Sequence, residues 1–355
     1  MKRRDFTSSR KLDHLRICLD EKIESGYTGF DDIRLVHEAL PDTDMDGLDL
    51  SCRFLGHVLE SPLYISGMTG GHPETRSVNG TLAEIAGEMG LGLGVGSQRA
   101  AIENPELEDT FSIVREKAPD AFIVGNLGIV QLRDHGLEWA EKAVDMIDAD
   151  ALAIHLNFLQ EAIQPEGDHN STGCFSALME LCSEFHIPVI VKETGCGISY
   201  ETAKRCLGAG ASCIDIGGHG GSSWALIESH RSGSVNGTED LTLKELGEQF
   251  AAWGMPTAVS LYEVKQCGGP VIASGGIRTG NDIAKALVMG ADLAGMALPL
   301  LKPACESSDA LRDKIRMLHH ELRICMFLTG KTRISELSGA RWYVTGRTRD
   351  LMKNF

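Results

Sequence analysis

The sequence predicts a TIM (β/α)₈ barrel, an α/β fold of eight parallel strands each followed by a helix. Three observations predict it. Eight short apolar runs occur in order, at 62–71, 90–99, 121–128, 151–157, 188–195, 212–221, 270–280 and 293–299. Their continuous apolarity, without alternation, is that of strands buried on both faces. Helix-like segments separate them, which requires parallel pairing through right-handed crossovers. The alternative is an open doubly wound sheet; eight repeats favour closure.

Residues 1–61 precede the first run and read as a basic arm followed by strands and turns at the barrel floor. The barrel is expected over 62–303. "NGTLAEIAGEM" begins a helix at Asn79, and "NPELEDTFSIVREKAP" carries Asn104 as N-cap with Pro105 in the first turn. Helices follow in "DHGLEWAEKAVDMID", "CFSALMELCSEF", "SYETAKRCLGAG" and "TGNDIAKALVMGAD". Residues 219–269, including the polar "HRSGSVNGTEDL", form a long insertion after strand six, of the kind that serves as a substrate lid. Residues 304–355 read as a C-terminal helical extension, so the 355 residues make one domain.

Composition excludes some functions. The net charge is −16, from 50 acidic and 34 basic residues. Such a chain is poorly suited to non-specific nucleic-acid binding. No apolar run reaches the ~20 residues that span a bilayer, and the start "MKRRDFTSSRKLDHLR" has no apolar core of a secretory signal. None of the 10 Cys forms a CxxC pair. Reduced thiols in the cytoplasm are therefore expected, with Cys196 a packing residue in its Gly-flanked turn.

Chemistry is expected at the strand exits, which converge on one face of such a barrel. "ASGGIRTGNDIAKAL" ends strand seven with Gly275 and Gly276, then enters a helix. A glycine turn backed by a helix N-terminus cradles phosphate, and Arg278 adds charge. Strand eight exits at Met296 and Ala297. "SGMTGG" places Gly67, Met68 and Thr69 at strand one, "NLG" places Asn126 at strand three, and "VKETG" turns Lys192 inward from strand five. A buried Lys needs a partner: a ring that gains negative charge, a Schiff-base substrate, or a carboxylate such as Glu193. Ser97, Gln98 and Arg99 stand at the exit of strand two, with Arg99 suited to an anionic substrate. Together these residue types fit flavin mononucleotide (FMN).

Strand four ends in "HLNFLQEAIQPEGD", where a purely structural strand has no need of His155, Asn157, Gln160 and Glu161. With "SSRKLDH", "SGMTGGH", "GVGSQRAAI", "VKETGCGIS", "GGHGGSSWA" and "SGGIRTGNDIAKALVMGAD", it resembles the type 2 isopentenyl-diphosphate isomerases over nearly the whole chain. The resemblance implies FMN, Mg²⁺, reduction by NADPH or NADH, and interconversion of isopentenyl and dimethylallyl diphosphate. It implies FMN contacts at Gly67, Met68, Thr69, Ser97, Asn126, Lys192, Ser222 (Thr in most members), Gly275, Gly276, Arg278, Met296 and Ala297. Diphosphate contacts fall on Arg10, Lys11, His14, Ser97, Gln98, Arg99, His155 and Gln160, and Glu161 holds Mg²⁺. His155 and Asn157 would donate to diphosphate oxygens, and Gln160 would orient substrate against the flavin. The family also implies a homo-oligomer, tetramer or octamer, with no nucleic-acid or membrane partner. Two other readings stand beside it: an FMN-dependent 2-hydroxy-acid oxidase or dehydrogenase using His219 as base, and a non-catalytic flavin-binding barrel.

Overall fold

The computed structural model describes residues 3–232 and 241–353. Each of the eight apolar runs contains one barrel strand: Leu63–Ile65, Gly92–Gly94, Ile123–Gly128, Ala151–Leu156, Val189–Glu193, Cys213–Asp215, Val271–Ser274 and Leu293–Met296. Every neighbouring pair is parallel, and the eighth strand pairs with the first, which closes the barrel. Closure leaves no sheet edge, so each strand is held from both sides.

The floor is plugged by the N-terminal extension. A hairpin of Cys52–Phe54 and His57–Leu59 turns at Leu55 and Gly56, both at positive φ. It inserts Phe54 and Leu59 against Tyr64, Phe122, Ile190, Cys213, Ile272 and Leu293, the inward side chains of the lower barrel layer. Phe54 meets Phe122 edge to face at 5.7 Å. The strands-and-turns expectation for this stretch thus covers the hairpin and also Ile33–Leu35. That strand pairs antiparallel with Trp342–Val344, so the C-terminal extension is helical with one added strand.

The basic arm is a helix, Arg3–Asp20, that lies against the helix Trp224–Ser232 at the mouth. The insertion after strand six supplies Trp224–Ser232, Leu241–Gln249 and Thr257–Lys265; the centre of "HRSGSVNGTEDL" lies outside the described residues. The helix expected at Asn79 starts earlier, at Arg76. Asn104 caps a short 3₁₀ turn, Pro105–Leu107, and the α-helix itself begins at Asp109. No described helix is long and apolar enough to cross a membrane.

Because Phe54 packs into the apolar lower layer of the barrel, Phe54→Ala should cost about 3–5 kcal/mol of stability by loss of contacts plus a cavity. Urea unfolding measures this.

Candidate active site

The strand exits enclose a cavity with about 1650 Å³ of atom-free space, open mouth included. Of the site residues expected from sequence, Gln98 alone does not line it.

One side is a glycine cradle. Gly275 and Gly276 have φ of 99° and 72°, and a Cβ on either would lie within 2.4 Å of Gly218, Gly220 or Thr28 atoms. The turns after strands six and seven thus touch backbone to backbone, which only glycine permits. The helix behind this turn, Gly280–Val288, is closed by its own capping box, with Thr279 accepting from Asp282 N–H. Asp282 Oδ2 also accepts from the N–H groups of Arg278 and Thr279, each at 3.1 Å. The expected helix N-terminus is therefore occupied. The helix after strand eight, Leu298–Glu306, starts at Ala297 without a side-chain cap and opens on the cavity. An anion on this side would meet its start and the Gly275–Gly276 turn. Arg278 lines the cavity but donates to Glu24, so it is not a free cation.

Beside the cradle lie Gly67, Met68, Thr69, Ser97, Asn126, Lys192, Ser222, Met296 and Ala297. Ser66 Oγ, on the same wall, is buried without a hydrogen-bond partner, as expected of a group that awaits a polar ligand. Asn126 is committed elsewhere: its Nδ2 donates to Val95 O at 2.9 Å, and its Oδ1 faces His155 Nδ1 at 2.8 Å. Since Asn126 Oδ1 accepts, His155 Nδ1 carries the proton, and a neutral ring leaves Nε2 an acceptor. Burial, then the charges of Lys11 and Lys192, push the His155 pKa down to about 3. The neutral ring is thus the resting state, and His155 does not donate to a diphosphate from it.

The other side is cationic. Arg10, Lys11 and His14 come from the N-terminal helix, and Arg99 from the exit of strand two. Arg10 reaches Gln164 at 3.5 Å and Glu166 at 3.3 Å, yet its Nε is buried and unpartnered. Arg99 pairs with Glu103 at 2.8 Å. Lys11 has no ion pair among the described residues, and burial, then Arg10 and Arg99, lowers its ammonium to about 7.

Strand four's polar exit is wired together. Asn157 Nδ2 donates to Gln160 Oε1 at 3.2 Å and Glu161 Oε1 at 3.0 Å, so this amide orients its neighbours rather than reaching for an oxyanion. Gln160 Nε2 donates to Glu228 Oε1 at 2.9 Å, which also meets His14 Nε2 at 3.0 Å. Glu161 Oε2 accepts from Gln164 Nε2 at 2.5 Å and Asp168 N at 2.8 Å. Gln98 is a brace: it is fully buried, donates to Ala143 O at 2.7 Å and accepts from Asn126 N at 2.8 Å. Its amide ties strand three to the helix Ile129–Asp145 and is turned away from the cavity.

Glu228 was not evident in the sequence. Burial would raise its carboxyl, but the hydrogen bond from His14 and the charges of His14 and Arg231 hold it at about 2. Its helix lies far along the chain from the strand-four motif, with no pattern tying the two. His219 does not line the cavity; its ring packs where a Cβ on Gly26 would stand. The Cys196 thiol is raised far above its usual range by burial and then by Glu193, which disfavours a thiolate there.

A family model described as FMN-dependent dehydrogenase matches residues 133–343. An isopentenyl-diphosphate delta-isomerase of Methanoregula boonei is 62% identical over 347 residues, 98% of this chain and 96% of that protein. The protein of that name from Archaeoglobus fulgidus is 49% identical, over 97% and 98%. Among solved structures, a putative lactate oxidase of Pediococcus acidilactici superposes with a TM-score of 0.69 at 17% identity, covering 97% of this chain and 94% of its own. A mandelate oxidase with (S)-2-phenylpropionate gives 0.64 at 17%, over 96% and 98%. Likeness at this identity shows the barrel fold alone.

His155 gives a pH signature. Its folded pKa lies below the ordinary ~6.5, so the unfolded chain binds its proton first as pH falls. Stability is then lost from pH 6.5 downward, toward about 3. His155→Gln should reduce the slope of unfolding free energy against pH by about 0.7 kcal/mol per unit at pH 6.5, rising toward about 1.4 at pH 4.5. Denaturant unfolding across that range measures it.

Proposed function

Because the chain belongs to the isopentenyl-diphosphate delta-isomerase family, we propose that this cavity interconverts isopentenyl and dimethylallyl diphosphate over a bound FMN. The observation that carries the reading is the unpaired Lys11 among Arg10, Arg99 and His14, facing a glycine cradle across one cavity. A buried ammonium without an anion is costly, and a diphosphate would supply the one that Lys11 lacks.

FMN, named by the matching family model, supplies a ring that holds and releases both protons and electrons. The residues present fit it. Gly275, Gly276 and the uncapped start of Leu298–Glu306 would hold its phosphate, and Ser66, Thr69, Ser97, Ser222 and Lys192 would meet its polar edge. Asn126 serves it indirectly, by fixing the His155 tautomer.

Mg²⁺ fits Glu161, the one carboxylate on the lining. No cluster of three or more metal-binding side chains exists among the described residues. This suits an ion that usually takes one or two carboxylates plus substrate phosphates and water. The reductant would be NADPH or NADH, with the protein a cytoplasmic homo-oligomer, tetramer or octamer.

The chain's own groups divide the remaining work. Arg10, Lys11, His14 and Arg99 grip the diphosphate. Gln160, clamped between Asn157 and Glu228, orients the hydrocarbon tail. Protonating an alkene makes a cation-like carbon that water would trap, so the tail must stay dry. Leu15, Trp224, Ile227, Leu298 and Leu301 line the same cavity and exclude water. The N-terminal helix closes the mouth through Arg10–Glu166 and His14–Glu228.

An oxidase of 2-hydroxy acids needs a base within reach of substrate, and His219 stands off the cavity. His219→Asn should leave isomerisation unchanged.

The test is an anaerobic assay of the protein with FMN, NADPH, Mg²⁺ and isopentenyl diphosphate. Dimethylallyl diphosphate is expected. Flavin-loaded protein that forms none, or that oxidises a 2-hydroxy acid instead, would contradict the reading. Gln160→Ala should lower kcat while the protein keeps its bound flavin, read from the visible spectrum.

A further inference from the structure

Lys192 is the cation on the flavin side of the cavity, and its partner is not the adjacent Glu193 carboxylate. Glu193 Oε2 turns away to accept the N–H groups of Thr194, Gly195 and Cys196 at 2.6, 2.6 and 2.5 Å. Lys192 Nζ donates to Glu193 O at 2.9 Å and pairs with Asp215 Oδ2 at 3.4 Å. The register explains the pair. Lys192 and Asp215 are directly opposed on strands five and six, so both side chains point into the barrel.

Asp215 is 1% exposed and does not line the cavity. Its other oxygen, Oδ1, accepts from Ser274 Oγ, and that same hydroxyl receives Gly217 N–H at 3.1 Å. Ser274 ends strand seven, immediately before the Gly275–Gly276 cradle. One carboxylate therefore ties together three strand exits: the ammonium on five, the turn after six, and the phosphate turn after seven.

We infer that Asp215 is a positioning residue that holds Lys192 against the flavin site from behind the cavity wall and offsets its charge, setting how readily bound flavin accepts electrons. This rests on the flavin reading above. The electrostatics have a definite sign. Reduction adds electron density to the ring. A lone ammonium beside it favours the reduced form, and a lone carboxylate disfavours it. In a site shielded from water such charges act strongly. The pair together is close to neutral, so removing either member should move the potential, in opposite directions.

The experiment is an anaerobic dye-equilibrated titration of FMN-loaded wild-type protein, Asp215→Asn, Lys192→Met and the double variant. The reduction potential of Asp215→Asn should lie above wild type, and that of Lys192→Met below it. The double variant should lie above Lys192→Met. It leaves no lone buried charge, so it decides the matter even if Asp215→Asn alone fails to fold or to hold flavin. An Asp215→Asn potential at or below wild type, or a double variant equal to Lys192→Met, overturns the inference. Wild-type protein that takes up no FMN overturns the flavin reading instead. A residue with only a structural role would change stability or flavin content and leave these potentials where they were.

Discussion

Charge balance in a recessed cavity governs the rest of the structure. The lining carries five cations, Arg10, Lys11, Arg99, Lys192 and Arg278, against one carboxylate, Glu161. Burying such an excess is tolerable only if each charge is answered. Four of the five are, by acids set outside the lining: Glu166, Glu103, Asp215 and Glu24. Lys11 alone has no acidic partner among the described residues, and burial, then the charges of Arg10 and Arg99, lowers its pKa. On the proposed reading, the anion that answers Lys11 is the diphosphate of the substrate.

The fold serves that balance. Parallel strands send their exits to one face, so residues from distant parts of the chain converge there. The hairpin plug and the apolar lower layer keep water out from below. The N-terminal helix covers the mouth from above, and it contributes cations that the barrel itself lacks. His14 and Gln160 then share Glu228, which joins the covering helix, strand four's exit and the inserted helix in one hydrogen-bonded unit. Arg231 steadies that unit by bonding Glu228 at 2.6 Å and Glu166 at 2.7 Å while itself almost fully buried.

The barrel was legible because strand burial leaves a one-dimensional trace: eight apolar runs, each containing one strand. Glycine turns and exit polarity likewise pointed to the cavity wall. What sequence could not resolve was how side chains spend their hydrogen bonds. Gln98 sits between Ser97 and Arg99 in a polar exit, but at the N-cap of the short helix Arg99–Glu103 its side chain turns into the protein, where its amide braces strand three against the helix Ile129–Asp145. Asp282 follows a phosphate-type glycine turn yet caps its own helix. Asn157 and Asn126 line the cavity with their amides already committed. Glu228 and Asp215 act through pairings across elements, and no local spacing encodes those. The arm's helix also escaped notice, because its basic residues mark charge rather than an apolar stripe.

The most direct measurement of the central claim is proton uptake on ligand binding. Calorimetry of isopentenyl diphosphate binding to the oxidised, FMN-loaded protein at pH 8, in buffers of different ionisation heat, counts the protons exchanged. With Lys11 near 7 when free, the arriving diphosphate, fully ionised at pH 8, should return its pKa toward the ordinary ~10.4, so close to one proton should be taken up, about one per site at most. Binding with no exchange, or with release, would contradict a cavity whose unanswered lysine awaits the diphosphate.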